Sequence, residues 1–226
     1  MNTKNLTASR LLMDVIKELG KLRLVPVAVI EESKMAIPLG NALIEAGLPV
    51  VEVTFRTVEA AESISLLKKE FPELIIGAGT VLSIEQVKAA VDAGSKFIVT
   101  PGFNPTIVDF CIEKNITIVP GINNPSFIEW GLERGLYFFK FFPAELSGGI
   151  KMLNAFSGPY PTARFMPTGG INDRNLTDYL KLKNVIACGG SWIVKKDLIS
   201  SGNFEEIKTL TKSALSLIKS ELGNIE

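Results

Sequence analysis

Two charged residues stand where charge is out of place. Lys140 lies inside Phe138-Phe139-Lys140-Phe141-Phe142, and Glu52 lies between Val51 and Val53. Apolar surroundings disfavour an ammonium, and a neutral amine attacks a carbonyl to form an imine, which becomes an electron sink once protonated. A nearby carboxylate can move the protons such chemistry requires. Strand alternation groups Phe138, Lys140 and Phe142 on one face and Phe139 and Phe141 on the other, and it places Glu52, Thr54 and Arg56 together. The functional reading makes Lys140 a nucleophile, Glu52 a general acid–base and Arg56 a clamp for a substrate carboxylate, with Thr80 as a second donor. Two simpler readings stay open at this level. A strand-end lysine can snorkel to water, and Glu52 with Arg56 can form a structural ion pair.

Composition narrows the remaining choices. The chain has no histidine, so a Ser-His-Asp triad, a His-ligated zinc or iron site and an imidazole acid–base are all excluded. Its two cysteines cannot build a thiolate zinc cage or an iron–sulfur site. Chemistry must come from lysine, carboxylates, hydroxyls, arginine and backbone amides, or from an oxygen-ligated metal. The 24 Lys+Arg balance the 24 Asp+Glu, which argues against a nucleic-acid or membrane-surface partner. Cys111 and Cys188 each lie in an apolar run and read as reduced core thiols of a cytoplasmic protein. The opening MNTKNLTASRLLMDVIKELG lacks the apolar region of a signal peptide and reads as an amphipathic helix, and no stretch is long enough for a membrane span.

The elements that must position Lys140 and Glu52 follow from an alternation along the chain. Runs rich in Val, Ile and Phe begin at 25, 50, 74, 96, 117, 137, 164 and 184, and helix-like stretches such as MAIPLGNALIEAG, TVEAAESISLLKKEF and SIEQVKAAVDAG separate them. Ser83 with Gln86 forms a capping-box pattern, and Gly47 and Gly94 fall where helices should end. Near-continuous apolar strands alternating with helices predict an α/β fold with a parallel sheet. Eight such units predict a closed (β/α)8 TIM barrel, with a doubly wound open sheet as the rival. The expected organisation is one domain over 1–226, with an extra N-terminal helix at 1–20, barrel units over 21–197 and a C-terminal helix at 198–226.

In a barrel the chemistry collects at the C-terminal strand ends, and polar groups appear where each run stops. Strand two ends in Glu52 to Thr57, strand three in Gly79-Thr80, strand four in Pro101-Gly102, and strand six carries Lys140. Strands two and six lie opposite each other in an eight-stranded barrel, so Glu52 and Lys140 could face across its mouth. Thr168-Gly169-Gly170 and Gly189-Gly190-Ser191 follow strands seven and eight, where barrels often bind phosphate through backbone amides.

The runs VPVAVIEESKMAIPLGNALIEAGLPVVEVTFRT, IIGAGTVL, VTPGFNP, FFKFFPAE, MPTGGI and CGGSW, in this order over about residues 20–195, resemble the 2-keto-3-deoxy-6-phosphogluconate aldolase family. That family includes 4-hydroxy-2-oxoglutarate aldolases and a phosphogalactonate relative. The resemblance implies a metal-independent class I aldolase without cofactor on a (β/α)8 barrel, commonly a homotrimer. It implies Lys140 as the Schiff-base residue, Glu52 as acid–base, and Arg56 with Thr80 on the pyruvyl carboxylate. Pro101 and Phe142 would line the site, Thr168 would meet substrate hydroxyls, and Gly169, Gly170, Gly190 and Ser191 would receive phosphate. The implied reaction cleaves a phosphorylated 2-keto-4-hydroxy acid, the phosphogluconate derivative, to pyruvate and glyceraldehyde 3-phosphate, with 4-hydroxy-2-oxoglutarate as a second substrate. The phosphogalactonate epimer, a phosphate-binding isomerase or synthase barrel, and a non-catalytic keto-acid-binding barrel are the alternatives. Two segments depart from the family pattern: GINNPS stands where many relatives have Ala-Thr before Pro-Ser, and PGFNP where many have Leu-Thr.

Overall fold

The alternating apolar runs become parallel strands in the computed structural model, which describes the backbone of residues 3–223 and the side chains of residues 13–223. The strands are β1 (Leu24–Ala28), β2 (Val50–Thr54), β3 (Ile75–Gly79), β4 (Phe97–Val99), β5 (Ile118–Val119), β6 (Gly121–Ile122), β7 (Phe138–Phe141), β8 (Arg164–Pro167) and β9 (Cys188–Gly190). Helices α1 (Thr3–Leu22), α2 (Ala36–Glu45), α3 (Ala60–Glu70), α4 (Ile84–Asp92), α5 (Pro105–Glu113) and α6 (Pro125–Glu133) fall before and between them. The series continues with α7 (Gly149–Ser157), α8 (Leu176–Leu180), α9 (Lys196–Ser200) and α10 (Phe204–Leu222).

The strands form a curled parallel sheet in two hydrogen-bonded pieces, ordered β5-β4-β3-β2-β1-β9 and β6-β7-β8. Leu24 of β1 pairs with Cys188, so the last strand lies beside the first. A doubly wound sheet, whose order reverses in the middle, does not do this. The fifth apolar run yields two strands rather than one, because Pro120 between them has no N–H to donate to a ladder. Its carbonyl accepts instead from Lys140 N at 3.0 Å. The eighth run is strand only over Cys188–Gly190, though isolated parallel bridges join Phe165 to Val185 and Thr168 to Gly189.

Several local expectations hold. The Ser83 hydroxyl accepts from Gln86 N at 3.2 Å, while the Gln86 side chain takes the Leu82 N–H at 2.7 Å, one residue before the box position. Gly47 and Gly94 adopt φ of 88° and 102° just past α2 and α4. The two departing segments supply helix caps: Asn104 accepts from Thr106 N at 3.0 Å, Asn124 accepts from Phe127 N at 3.3 Å, and each is followed by proline. Alternation in β7 is as expected. Phe141 packs edge-on to Phe156 of α7, and Phe139 fills the space left by Gly131 of α6, where a Cβ would lie 2.2 Å from its ring.

The terminal helices differ in detail from the expectation. The leading helix runs to Leu22, and its Glu18 pairs with Lys96 at 3.2 Å, just before β4, which sets α1 at the N-terminal ends of the strands. Residues 1 and 2 of the expected 1–20 helix lie outside the described residues. The expected 198–226 helix is broken into α9 and α10, because Gly202 takes φ of 73° and Asn203 starts a new helix by accepting from Glu206 N. Residues 224–226 also lie outside the described residues. No helix of the described residues is long and apolar enough to cross a membrane.

Candidate active site

Curling brings together side chains from strands that are not neighbours. Lys140 Nζ donates to Glu52 Oε1 at 3.1 Å across 88 positions of sequence, and the two side chains are 4% and 0% exposed. Burial this complete makes the pair an enclosed ammonium–carboxylate contact rather than a snorkelling lysine. The other carboxylate oxygen, Oε2, is buried and has no hydrogen-bond partner among the described residues. Such an orphaned acceptor carries a desolvation penalty, the kind of strain that persists at functional sites. The Phe142 ring centroid stands 5.3 Å from Nζ, giving the ammonium an aromatic wall.

Arg56 and Thr80 also meet, with Nε donating to Oγ1 at 3.3 Å. The structural Glu52–Arg56 pair does not form among the described residues: Glu52 turns inward to Lys140, while Arg56 is exposed beyond the end of β2. Thr80 has φ of 56°, a left-handed conformation that is strained for a β-branched residue. The turn after β3 holds its hydroxyl toward the guanidinium at that expense.

The glycine turns stand side by side. Thr168 is buried and bridges Gly189, so the turns that follow them, Gly169-Gly170 and Gly190-Ser191, are adjacent. Gly169 and Gly170 take φ of 96° and 85°. Gly190 is buried and Ser191 is exposed. Pro101 is half-buried at the end of β4, and its carbonyl would lie 2.3 Å from a Cβ at Gly121, the residue paired with Lys140. Apart from Glu52, in the middle of β2, each residue expected at the site stands near a C-terminal strand end or just after it. A cleft of about 460 Å³ lined by Tyr160, Arg164, Lys181 and Asn184 lies toward the opposite end, where β8 begins, and contains none of these groups.

Gly79 is a site residue that the sequence reading left without a role. A Cβ there would fall 2.0 Å from Glu52 Oε1, so only glycine leaves the carboxylate room to reach Lys140. Its place beside Thr80 in GAGT was visible. Its contact with Glu52 depends on the β2–β3 register, in which Thr54 pairs with Gly79. Among the described residues, no three His, Cys, Asp or Glu side chains converge as a metal-ligand group.

Chemically, the arrangement places an enclosed amine beside a carboxylate with one free acceptor oxygen, next to a cation–hydroxyl pair and two glycine turns. Known proteins share this chain's sequence and fold. A family model described as KDPG and KHG aldolase matches residues 15–210. A 2-dehydro-3-deoxy-phosphogluconate aldolase of Haemophilus influenzae is 48% identical over 205 residues, covering 91% of this chain and 97% of that protein. A KHG/KDPG aldolase of Escherichia coli is 42% identical over 191 residues, covering 84% of this chain and 90% of its own. Among solved structures, a KDPG aldolase from Legionella pneumophila, with pyruvate captured as a covalent carbinolamine intermediate, superposes with a TM-score of 0.84 at 41% identity. The match covers 87% of this chain and 95% of that one. With the family model matching most of its length, the chain belongs to the KDPG and KHG aldolase family.

Proposed function

We propose that this protein is a class I, metal-independent aldolase that cleaves 2-dehydro-3-deoxy-6-phosphogluconate to pyruvate and glyceraldehyde 3-phosphate. The observation that carries this reading is the buried Lys140–Glu52 contact at 3.1 Å, with Oε2 of Glu52 left free. Lys140 gives a proton to solvent and, as the neutral amine, adds to the C2 ketone; a proton returns as water leaves, giving a protonated imine. Glu52 takes the C4 hydroxyl proton, the C3–C4 bond breaks, and its electrons flow into the imine to give an enamine and the free aldehyde. Protonation at C3 and hydrolysis then release pyruvate and restore the amine. Arg56 and Thr80 hold the pyruvyl carboxylate, Pro101 and Phe142 line the site, and Thr168 meets substrate hydroxyls. Gly169, Gly170, Gly190 and Ser191 receive the phosphate.

The Escherichia coli relative's name supports a second substrate, 4-hydroxy-2-oxoglutarate, cleaved to pyruvate and glyoxylate by the same steps. Pairing of β9 with β1, the bridges from β8 to the β9 segment and the link through Pro120 support a closed (β/α)8 barrel in one domain. Free, buried Cys111 and Cys188 and the absence of net charge support a cytoplasmic enzyme acting on a small molecule rather than on nucleic acid or membrane. A homotrimer is the assembly that the family resemblance implies.

Borohydride reduction in the presence of pyruvate tests the reading. The expected result is a stable adduct on the peptide containing Lys140, with loss of activity. Loss of activity to a chelator without any adduct would overturn it.

A further inference from the structure

Behind the Gly169-Gly170 turn stands a polar contact that the aldol chemistry does not use. Tyr179 of α8 is fully buried, and its hydroxyl donates to Glu145 Oε1. Glu145 begins the short turn after Pro143, and its own backbone N–H donates to the Gly169 carbonyl at 3.1 Å. Its side chain lies flat against Gly170: a Cβ added there would meet Cγ at 2.4 Å and Cβ at 2.7 Å. From the other side, Asn172 and Asn175 each donate a side-chain N–H to the Gly170 carbonyl, at 3.1 and 3.0 Å. The first residue of α7 closes the junction, since a Cβ at Gly149 would come within 2.9 Å of the Tyr179 hydroxyl and 3.2 Å of Glu145 Oε1.

The turn is thus held by its carbonyls. The Glu145 N–H fixes the Gly169 carbonyl and the two asparagine amides fix the Gly170 carbonyl, and peptide planarity fixes with them the N–H groups of Gly170 and Ile171. Both glycines sit at positive φ, where a chain without side chains has many accessible shapes, so these external bonds must select one. Tyr179 anchors the assembly in the core, its ring fully buried. The exposed Glu145 carboxylate is tied to the core through it.

We propose that Tyr179 is a positioning residue that, through Glu145, holds the Gly169-Gly170 turn in its anion-receiving shape and so sets preference for phosphorylated over unphosphorylated substrate. This rests on the reading above that the turn receives the phosphate. Tyr179 touches neither Lys140 nor Glu52, so its effect should fall on binding of the phosphate end and leave imine formation alone.

Tyr179→Phe removes only the hydroxyl, and kinetics on 2-dehydro-3-deoxy-6-phosphogluconate and on 4-hydroxy-2-oxoglutarate read its effect. The expected result is a KM about tenfold higher for the phosphorylated substrate, from loss of one charge-assisted hydrogen bond. The kcat on that substrate, both constants on the unphosphorylated one, and borohydride trapping with pyruvate should change by less than about twofold. Glu145→Ala should reproduce the selective KM rise should Tyr179→Phe prove poorly folded, while Glu145→Gln, which keeps an acceptor, should restore most of the preference. Equal losses on both substrates, or no change in either variant, would overturn the proposal while leaving the phosphate reading intact. A wild-type enzyme that inorganic phosphate does not inhibit, and that handles both substrates with the same KM, would overturn the phosphate reading and this proposal with it.

Discussion

Glu52 fills the space that Gly79 leaves by having no side chain: the place of a Cβ at 79 is 2.0 Å from Glu52 Oε1. Gly79→Ala should therefore push the carboxylate off Lys140 without altering a single charged group. Displacement of a catalytic group by about 1 Å can cost about 100-fold in rate, and overpacking costs about 1–3 kcal/mol of stability. Steady-state kinetics and urea denaturation on the variant check both. A wild-type kcat in Gly79→Ala would show that Glu52 is not the proton carrier.

The Lys140–Glu52 contact also sets a stability relationship. Removing one partner of a buried pair leaves the other charge uncompensated, a loss of about 3–5 kcal/mol, whereas removing both can be nearly neutral. Lys140→Met should thus destabilise the protein more than the double variant Lys140→Met/Glu52→Leu does, although both lack activity. Urea midpoints of the wild type, the two single variants and the double variant measure the coupling. Additive losses would mean that the pair contributes no interaction energy.

Thr80 offers an exchange of activity for stability. Its φ of 56° costs about 1–2 kcal/mol for a side chain with a Cβ, against about 0.5–1 kcal/mol for the extra unfolded-state freedom of glycine. Thr80→Gly should leave the melting temperature level or raise it, and should raise KM about tenfold by removing the hydroxyl that Arg56 contacts at 3.3 Å. A fall in both stability and affinity would contradict the strain argument.

The two thiols make stability depend on pH at the alkaline end. Burial pushes the Cys111 thiol from 9.0 up to about 12 and raises Cys188 in the same direction. Both are acids whose folded values lie above their unfolded ones. Their contribution is complete below about pH 9 and is lost as pH rises toward 12, by about 1.4 kcal/mol per thiol for each unit above the unfolded value. Wild type and Cys111→Ala/Cys188→Ala, compared by urea denaturation at pH 8 and pH 10, should differ less at the higher pH. Iodoacetamide should label neither thiol at pH 8 until the chain unfolds.

Lys140, Glu52 and the paired glycines of the candidate site were readable one by one because each breaks a local pattern. Lys140 interrupts a run of phenylalanines, Glu52 interrupts a run of valines, and the paired glycines end apolar strands. The Lys140–Glu52 distance was not readable in the same way, nor was the choice between Lys140 and Arg56 as partner of Glu52. Both rivals satisfy the same alternation, and only the curvature of the sheet brings β7 within reach of β2.

Period-two alternation, helix spacing, caps and breakers act over a few residues, so the order of strands and helices and the side chains presented at their ends followed from the sequence. Pro120 split a strand for an equally local reason, the missing N–H, though its effect appeared only once both neighbouring strands were in place. Contacts closed across long stretches of chain needed the folded molecule. Glu52 against Gly79 depends on strand register, Thr168 beside Gly189 on a bridge between sheet edges, and Tyr179 on Glu145 on a helix packing behind a turn. Residue types supplied the chemistry. The curl of the sheet decided which of them touch, because through-space distance across a curled sheet depends on every strand between the two residues.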